Sequence, residues 1–301
     1  MNATTARLLR VPVTIAMIWA VLAVTVPPLM TRYAPYVTRP GFDCAKTAIQ
    51  LSRGPTLSPG GCRSLADLYG QPFGALFVDS AFRSLALLVG AALLALVIGT
   101  LLGVVAALWR RRAIASGFVV GGTTILAAVP AFFVAYFLQI FVITIGASAT
   151  SRDRFLPVYG FGYDEHLVLP LLSISLPAIA FTAQLTATRM VEVLNSDFIT
   201  AAQAKGLRTR WILAVHVLPH VRPALLEALG SGLRVSVASL PIVEYLFQWR
   251  GIGQLSLEAV GVHDAAGFVV SGVVLAALFT TLSALADLSR PRALFGASQG
   301  S

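Results

Sequence analysis

Residues 197–223 read DFITAAQAKGLRTRWILAVHVLPHVRP, a basic stretch with long apolar segments close on either side. Its Lys and Arg side chains stand at positions 205, 208, 210 and 222. Ser196 or Asp197 is suited to cap a first helix over FITAAQAK, and Gly206 is suited to the left-handed position that ends it. Thr209 is suited to cap a second helix, RWILAVHV, which Pro219 is expected to limit. The stretch therefore predicts two short helices joined at a glycine.

The first of these predicted helices carries small side chains beside larger apolar ones. Ala201, Ala202 and Ala204 accompany Phe198 and Ile199. Small side chains let another body approach a helix backbone closely. We interpret the stretch as a docking surface for a soluble partner, with an ordinary amphipathic cytoplasmic loop as the alternative.

The composition of the chain is that of a membrane protein. Its 301 residues are 57% hydrophobic and 12% charged, with a mean hydropathy of +0.81. Soluble domains contain roughly 45–50% apolar and about 25% charged residues. The net charge of +9 falls in short clusters between apolar segments, and no aromatic-studded basic face accompanies it. Nucleic-acid binding is therefore excluded as a function.

The apolar segments predict an all-α polytopic membrane protein with about six transmembrane helices, because about 20 apolar residues cross a bilayer as a helix. They cover residues 11–31, 84–109, 113–151, 166–188, 224–247 and 265–286. The third could form a hairpin of two helices, but we expect one long tilted helix that kinks at Val129 and Pro130 and ends near Gly146. The fifth is the weakest, because Glu227, Arg234 and Glu244 lie in it.

The basic residues of the short loops orient these helices. These basic residues precede the first helix, follow the second and the sixth, and are concentrated in the connection between the fourth and fifth. Both termini are therefore predicted to be cytoplasmic. The chain then divides into an N-terminal tail and first helix (1–31), an extracytoplasmic segment (32–82), a transmembrane core (83–289) with a cytoplasmic loop at about 191–223, and a cytoplasmic tail (290–301). A cleaved signal peptide is the alternative for the start, although no small-x-small site follows Met30.

The predicted extracytoplasmic segment holds both cysteines of the chain, Cys44 and Cys62. An even number of cysteines in an exported loop favours a disulfide. Two free thiols, or metal ligands without further partners, are the alternatives.

No motif in the sequence supports catalysis by this chain. The phosphate-binding pattern G-x-x-x-x-G-K-[ST] is absent, so ATP chemistry must reside on another chain. His216 and His220 are four residues apart, but the glutamate of H-E-x-x-H is missing and Pro219 interrupts the helical face. We therefore expect no catalytic residues and no metal site.

Ionisable residues inside a membrane helix are candidates for function. Arg234 and Glu244 are possible residues of a transport pathway, and Arg234 shares a helical face with Glu227, seven residues earlier. In the alternative interpretation, Glu227 lies at the cytoplasmic rim, Arg234 pairs with it or with a carbonyl, and Glu244 caps the outer end.

Residues 200–219, TAAQAKGLRTRWILAVHVLP, resemble the EAA loop of ABC-importer permeases. Five positions match the spacing of that motif: Ala201, Ala202, Gly206, Leu218 and Pro219. Thr200 replaces the usual Glu and His216 the usual Ile, and AKGL followed by this His is similar to the oligopeptide/dipeptide/nickel branch. HLVLPLLSISLP at 166–177 and VEYLFQWRGIGQL at 243–255 are also similar to that branch, although Arg250 stands where its usual Pro-Gly-x-Gly has proline. The resemblance covers residues 81–292.

The resemblance implies a type I ABC importer permease fold in the bacterial inner membrane, with the loop as the coupling element. The implied ATPase-coupling residues are Ala201, Ala202, Lys205, Gly206, Leu207, His216, Leu218 and Pro219. The implied partners are a second, homologous permease subunit, two cytoplasmic ATPase subunits and an extracytoplasmic substrate-binding protein, all within or at the lipid bilayer. The chain is expected to bind no cofactor, since ATP and Mg²⁺ belong to the ATPase subunits.

The substrate stays open at this point. Dipeptides, oligopeptides, nickel chelates and opine-like compounds are all handled by permeases similar to this one. A self-sufficient secondary transporter or channel is the rival function, but it would show inverted repeats or paired broken helices, which we do not find in the sequence. A membrane-bound enzyme would need a catalytic set that the sequence lacks.

Overall fold

The computed structural model describes residues 3–33, 65–109, 113–147, 156–262 and 264–289, and all regular structure there is helical. Cys44 and Cys62 lie outside the described residues, so the disulfide stays a prediction. The helices are α1 (Ala3–Tyr33), α2 (Leu65–Tyr69), α3 (Phe73–Leu108), α4 (Ala113–Ala128), α5 (Ala131–Ala147), α6 (Glu165–Leu194), α7 (Asp197–Ala204), α8 (Thr209–Phe247), α9 (Ile252–Gly261) and α10 (Ala265–Ser289).

Within the described ranges, four helices are long and apolar enough to cross a membrane, namely α3, α6, α8 and most of α10. The pair α4 and α5 adds a fifth candidate span if the two helices count as one. Helix α1 contributes a shorter apolar part, Val11–Val26, which packs on α10 around Val26, Ala265 and Val269. The prediction of an all-α, multi-span protein is therefore confirmed.

The third predicted span differs from our expectation of one kinked helix. Helices α4 and α5 are bent by 97° at a break next to Pro130, and α5 ends at Ala147, close to the predicted end. Proline has no N–H to donate and its ring clashes with the preceding turn. Pro130 instead begins the next helix, because its carbonyl accepts from the N–H groups of Phe133 (3.0 Å) and Val134 (3.4 Å). The expectation of a mere kink was wrong.

The centre of the fold is α6, which packs closely against α3 and α8. A Cβ at Gly99 would lie 2.8 Å from the carbonyl oxygen of Ile179, and one at Gly103 would lie 2.7 Å from that of Ala183. Glycines four residues apart thus let two helix backbones approach, as small residues do at membrane helix interfaces. On the other side of α6, the Ser236 hydroxyl of α8 donates to the Ile174 carbonyl at 2.7 Å.

Candidate functional site

Residues 197–223, called the insert from here on, form a sharp helix–turn–helix corner. Helix α7 begins at Asp197 with Ser196 in the N-cap position, as predicted, but the Ser196 hydroxyl donates to the Val193 carbonyl instead of capping the helix. Gly206 has a φ of +74°, so the predicted left-handed glycine is confirmed. Its N–H donates to the Gln203 carbonyl (2.9 Å) and that of Leu207 to the Ala202 carbonyl (3.3 Å). These two bonds form a Schellman motif, which fixes the corner.

One side of the insert is packed onto the membrane helices. The buried residues of this insert core come from α3, α6, α7 and α8: Ala107, Met190, Leu194, Ile199, Ala202, Ile212, Val217 and Val221. Ile199 is fully buried and Ala202 is 8% exposed. The insert therefore packs on the ends of α3 and α6, so a displacement of the insert would be transmitted to both helices.

The other side of the insert is apolar and uncovered. Its large exposed side chains are Phe198 (44%), Leu207 (38%), Trp211 (57%), Val215 (44%) and Leu218 (53%). Lys205, Arg208 and Arg210 are exposed beside them. An exposed apolar patch with a polar rim is typical of a protein interaction site. We call this the outer face of the insert.

The predicted coupling residues divide between these two sides. Ala201, Lys205, Gly206, Leu207, Leu218 and Pro219 are exposed, and His216 is half-buried. Ala202 belongs to the insert core, so its small side chain lets α7 pack on its own chain. Ala201, on the same helix, is small and exposed and is available to a partner.

Pro219 does not limit the second helix, contrary to our expectation. Helix α8 runs from Thr209 to Phe247 without a break, and residues Ile212–Val217 form a π-helical turn just before the proline. A π turn changes the hydrogen-bond register of the helix. We infer that this change of register lets the helix continue although Pro219 has no N–H to donate. Arg208, with extended backbone, takes the N-cap position, and Thr209 is the first helical residue.

The two histidines of the insert show no metal-binding arrangement. The His220 ring Nδ1 lies 2.6 Å from the His216 carbonyl oxygen, and the His220 ring packs on Phe198 with centroids 5.2 Å apart. Among the residues that the structure describes, no group of three or more His, Cys, Asp or Glu side chains could hold a metal ion.

At the far end of α8, Glu244 caps the N-terminus of α9. Glu244 is fully buried, and its Oε2 accepts from the N–H groups of Gly253 (2.8 Å) and Gln254 (3.1 Å). The Ser84 hydroxyl of α3 donates to Oε1 (2.6 Å) and accepts from the Ile252 N–H (2.8 Å). A negative group at a helix N-terminus satisfies free N–H groups and the helix dipole. This geometry favours the capping interpretation of Glu244 over the pathway interpretation.

The turn between α8 and α9 is built tightly around that carboxylate. Gln248 and Arg250 have φ angles of 55° and 56°, and the fully buried Trp249 indole donates to the Arg83 carbonyl at 3.2 Å. A Cβ at Gly251 would collide with the Glu244 carboxyl group, so only glycine fits there. The sequence reasoning missed Ser84, Trp249 and Gly251, although the glycines at 251 and 253 were a signal for close approach.

Two ionisable pairs lie outside the spans, near this end of the molecule. The hydrogen bonds to His166, whose ring is 2.7 Å away, lower the pKa of Asp164. Burial, followed by the hydrogen bond to Glu258, raises the pKa of Tyr69, so Tyr69 stays protonated and donates to Glu258 at 2.5 Å. This bond ties α2 to α9.

Arg234 lies inside α8, as predicted, and pairs with no carboxylate among the residues that the structure describes. Its Nη2 donates to the Ser231 hydroxyl at 2.8 Å, and in the described part of the chain this is its one hydrogen bond and no ion pair forms. Glu227, its predicted neighbour, is seven residues earlier on the same helix.

The family model described as binding-protein-dependent transport system inner membrane component matches residues 99–294, well over half of the chain. This chain belongs to that family. The match includes α6, the insert, α8, α9 and α10. Family members are non-catalytic transmembrane subunits of ABC importers and work with ATPase and binding-protein partners. The permease is therefore a multi-pass protein of the inner membrane.

Several permeases are similar to this one at low identity. A probable peptide ABC transporter permease of Sinorhizobium fredii is 28% identical over 205 residues, which are 65% of this chain and 63% of that protein. The metal-staphylopine import system permease of Staphylococcus aureus is 26% identical over 219 residues, 73% of this chain and 68% of the relative. The glutathione transport system permease of Escherichia coli is 28% identical over 174 residues, 56% of this chain and 53% of the relative.

Proposed function

We propose that this permease imports peptides or related small solutes and couples to an ATPase subunit through the insert. The solutes named for its relatives are a peptide, glutathione and a metal–staphylopine complex. The chain forms half of the translocation pathway, and a second, homologous permease forms the other half. Two cytoplasmic ATPase subunits hold ATP and Mg²⁺, and an extracytoplasmic binding protein delivers the solute.

The outer face of the insert is the observation that carries this proposal. It presents exposed aromatic and aliphatic side chains on a rigid corner, while its opposite side is anchored to α3 and α6 through the insert core. ATP can shift the transport equilibrium only through contacts that differ between the two states. A docked ATPase that moves would pull on the insert, and the insert core would pass this motion to the helices.

The length of α8 supports a position of the insert outside the bilayer. Its 39 residues extend about 58 Å at 1.5 Å per residue, against roughly 30 Å of hydrocarbon. The basic residues of the insert favour the cytoplasmic side for the excess length. We propose six spans on this basis, with α1 and the pair α4 and α5 each crossing once, and with both termini in the cytoplasm.

The test is a matched pair of substitutions at two exposed valines. Val215, 44% exposed, lies on the outer face of the insert, and Val260, 48% exposed, lies on α9 near the opposite end of α8. Val215→Arg should reduce co-purification of the ATPase subunits and solute-stimulated ATP hydrolysis by about tenfold or more, because a desolvated charge in an interface costs several kcal/mol. Val260→Arg should retain ATPase association.

Equal ATPase association and transport in the two variants would show that the insert is an ordinary loop. Loss of association in the Val260→Arg variant alone would place the ATPase at the opposite end of the molecule.

A further inference from the structure

Helix α8 has one exposed face, which includes Val235, Ala238, Ile242 and Tyr245. Residues of its opposite face, such as Gly232, Ser236 and Val243, are buried against α6 and the core. Four polar residues lie along this face, Glu227, Ser231, Arg234 and Tyr245, at spacings of four, three and eleven residues; Tyr245 is exposed and the other three are half-buried. These spacings place them within about 60° of each other around the helix. We call them the polar stripe.

Arg234 lies near the middle of the part of α8 that follows the insert. It is ten residues from Ala224 and 13 from Phe247, about 15 Å and 20 Å along the helix axis. A guanidinium at this depth is costly when it faces lipid. A half-buried guanidinium at this depth is stabilised by a polar or anionic group beside it.

The neighbourhood of Arg234 leaves donors and space for a ligand. One of its N–H groups is used by Ser231, and the Ser231 hydroxyl, which accepts that bond, keeps its own proton for a second acceptor. Ala238, one turn further along, is exposed and small. Guanidinium binds carboxylates in a bidentate manner, and a hydroxyl can add a third hydrogen bond.

We propose that Arg234, assisted by Ser231, binds the carboxylate of the transported solute and thereby selects anionic or carboxylate-bearing solutes. The proposal rests on the proposed function, in that the exposed face of α8 borders the translocation pathway. Charge complementarity supports this occupant: among the described residues Arg234 forms no ion pair, and Glu227 on the same face is seven residues, or about 10 Å, away along the helix axis. The amide of an otherwise identical solute offers no negative charge.

The test measures the electrostatic potential beside Arg234 with a thiol at position 238. Ala238→Cys is introduced into the full complex, and modification rates are measured with an anionic reagent, 2-sulfonatoethyl methanethiosulfonate, and a cationic one, 2-(trimethylammonium)ethyl methanethiosulfonate. The unmodified chain, which contains only Cys44 and Cys62, gives the background rate. The anionic-to-cationic rate ratio should fall by about tenfold or more when Arg234→Gln is added, because one charge a few ångströms away is removed.

Two further comparisons define the ligand. Arg234→Lys, which keeps the charge, should retain most of the anionic preference. Alanyl-alanine at 20 mM should slow the anionic reagent at least twofold, and alanyl-alanine amide at the same concentration and ionic strength should not.

Each other outcome overturns the inference. No reaction with either reagent would show that the face meets lipid or protein, and an unchanged ratio would show that another subunit neutralises Arg234. Equal protection by the acid and the amide, or protection by neither, would rule out a carboxylate site. Solute-stimulated ATP hydrolysis by the Ala238→Cys complex, measured first, separates these failures from a failure of the proposed function.

Discussion

Gly206 shows how one residue sets the geometry of the insert. Its φ of +74° is one that residues with a Cβ rarely adopt, and two Schellman hydrogen bonds depend on it. A Cβ at this position would meet no atom within 4 Å. The requirement for glycine is therefore conformational, and the space around the residue would admit a larger side chain.

Gly206→Val should lower ATPase association and transport together. A β-branched residue in the left-handed region costs roughly 1–2 kcal/mol or more, which is enough to displace the corner without unfolding helices held by the insert core. The membrane-inserted amount of the permease should stay unchanged, as measured by immunoblot of washed membranes, while solute-stimulated ATP hydrolysis falls.

Gly206→Asn is the matched control, since asparagine tolerates the left-handed conformation. It should retain most of the activity. If the Asn and Val variants lose activity equally, the side-chain-free surface of Gly206 matters rather than its backbone conformation.

At the scale of elements, contacts at the starts of helices determine how neighbouring helices are connected. Pro130 begins α5 after the 97° break, a π turn carries α8 past Pro219, and the Glu244 carboxylate on α8 caps α9. In the last case, a side chain from one helix satisfies the backbone of another, so α3, α8 and α9 are fixed relative to each other. Helix termini buried without such partners would be unstable.

Removing the Glu244 cap should destabilise the α8–α9 junction. In Glu244→Gln the amide oxygen still accepts from the backbone, but the charge–dipole attraction is lost, at a cost of about 1–2 kcal/mol. Glu244→Leu leaves the donors of Ser84, Gly253 and Gln254 without their acceptor and should cost about 3 kcal/mol or more. Thermal unfolding of the purified permease, followed by the fluorescence of its tryptophans, measures both.

Glu258→Gln is the control for this prediction. Glu258 is a half-buried carboxylate on α9 that accepts from Tyr69 and Gln254 side chains. Its substitution should lower the melting temperature less than Glu244→Gln does. A larger decrease in melting temperature for Glu258→Gln than for Glu244→Gln would contradict the stabilising role of the buried cap.

At the scale of the whole molecule, α8 connects the insert to the Glu244 cap, and Arg234 lies between them. This arrangement suits a subunit that receives a force at one end and exposes a pathway along its length. The proposed orientation makes the insert cytoplasmic and the cap extracytoplasmic.

Cysteine labelling of intact cells should confirm that orientation. In a background with Cys44→Ser and Cys62→Ser, an impermeant thiol reagent should label a Gly60→Cys variant and spare the Arg111→Cys and Arg208→Cys variants. Permeabilised cells should label all three variants. Labelling of Arg208→Cys from outside would contradict the coupling role of the insert.

Much of the site was predictable because its signals are local. The left-handed glycine at 206 and the start of α7 depend on a few neighbouring residues, and the motif spacing from Ala201 to Pro219 points to the correct family. Our predictions failed at prolines, because a proline can begin a helix, end one or follow a π turn. The surrounding packing decides among these outcomes.

By itself, the sequence determined the membrane-spanning class, the position of the helix–glycine–helix insert and the absence of a phosphate-binding loop. These follow from hydropathy, charge distribution and backbone preferences that act over short distances. Only the tertiary structure decided that Ala202 faces its own chain, that Glu244 caps α9 with help from Ser84, and that Arg234 lies half-buried along the exposed face of α8. Those facts depend on contacts between residues far apart in the chain, such as positions 84 and 244, and on which face of each helix its neighbours cover.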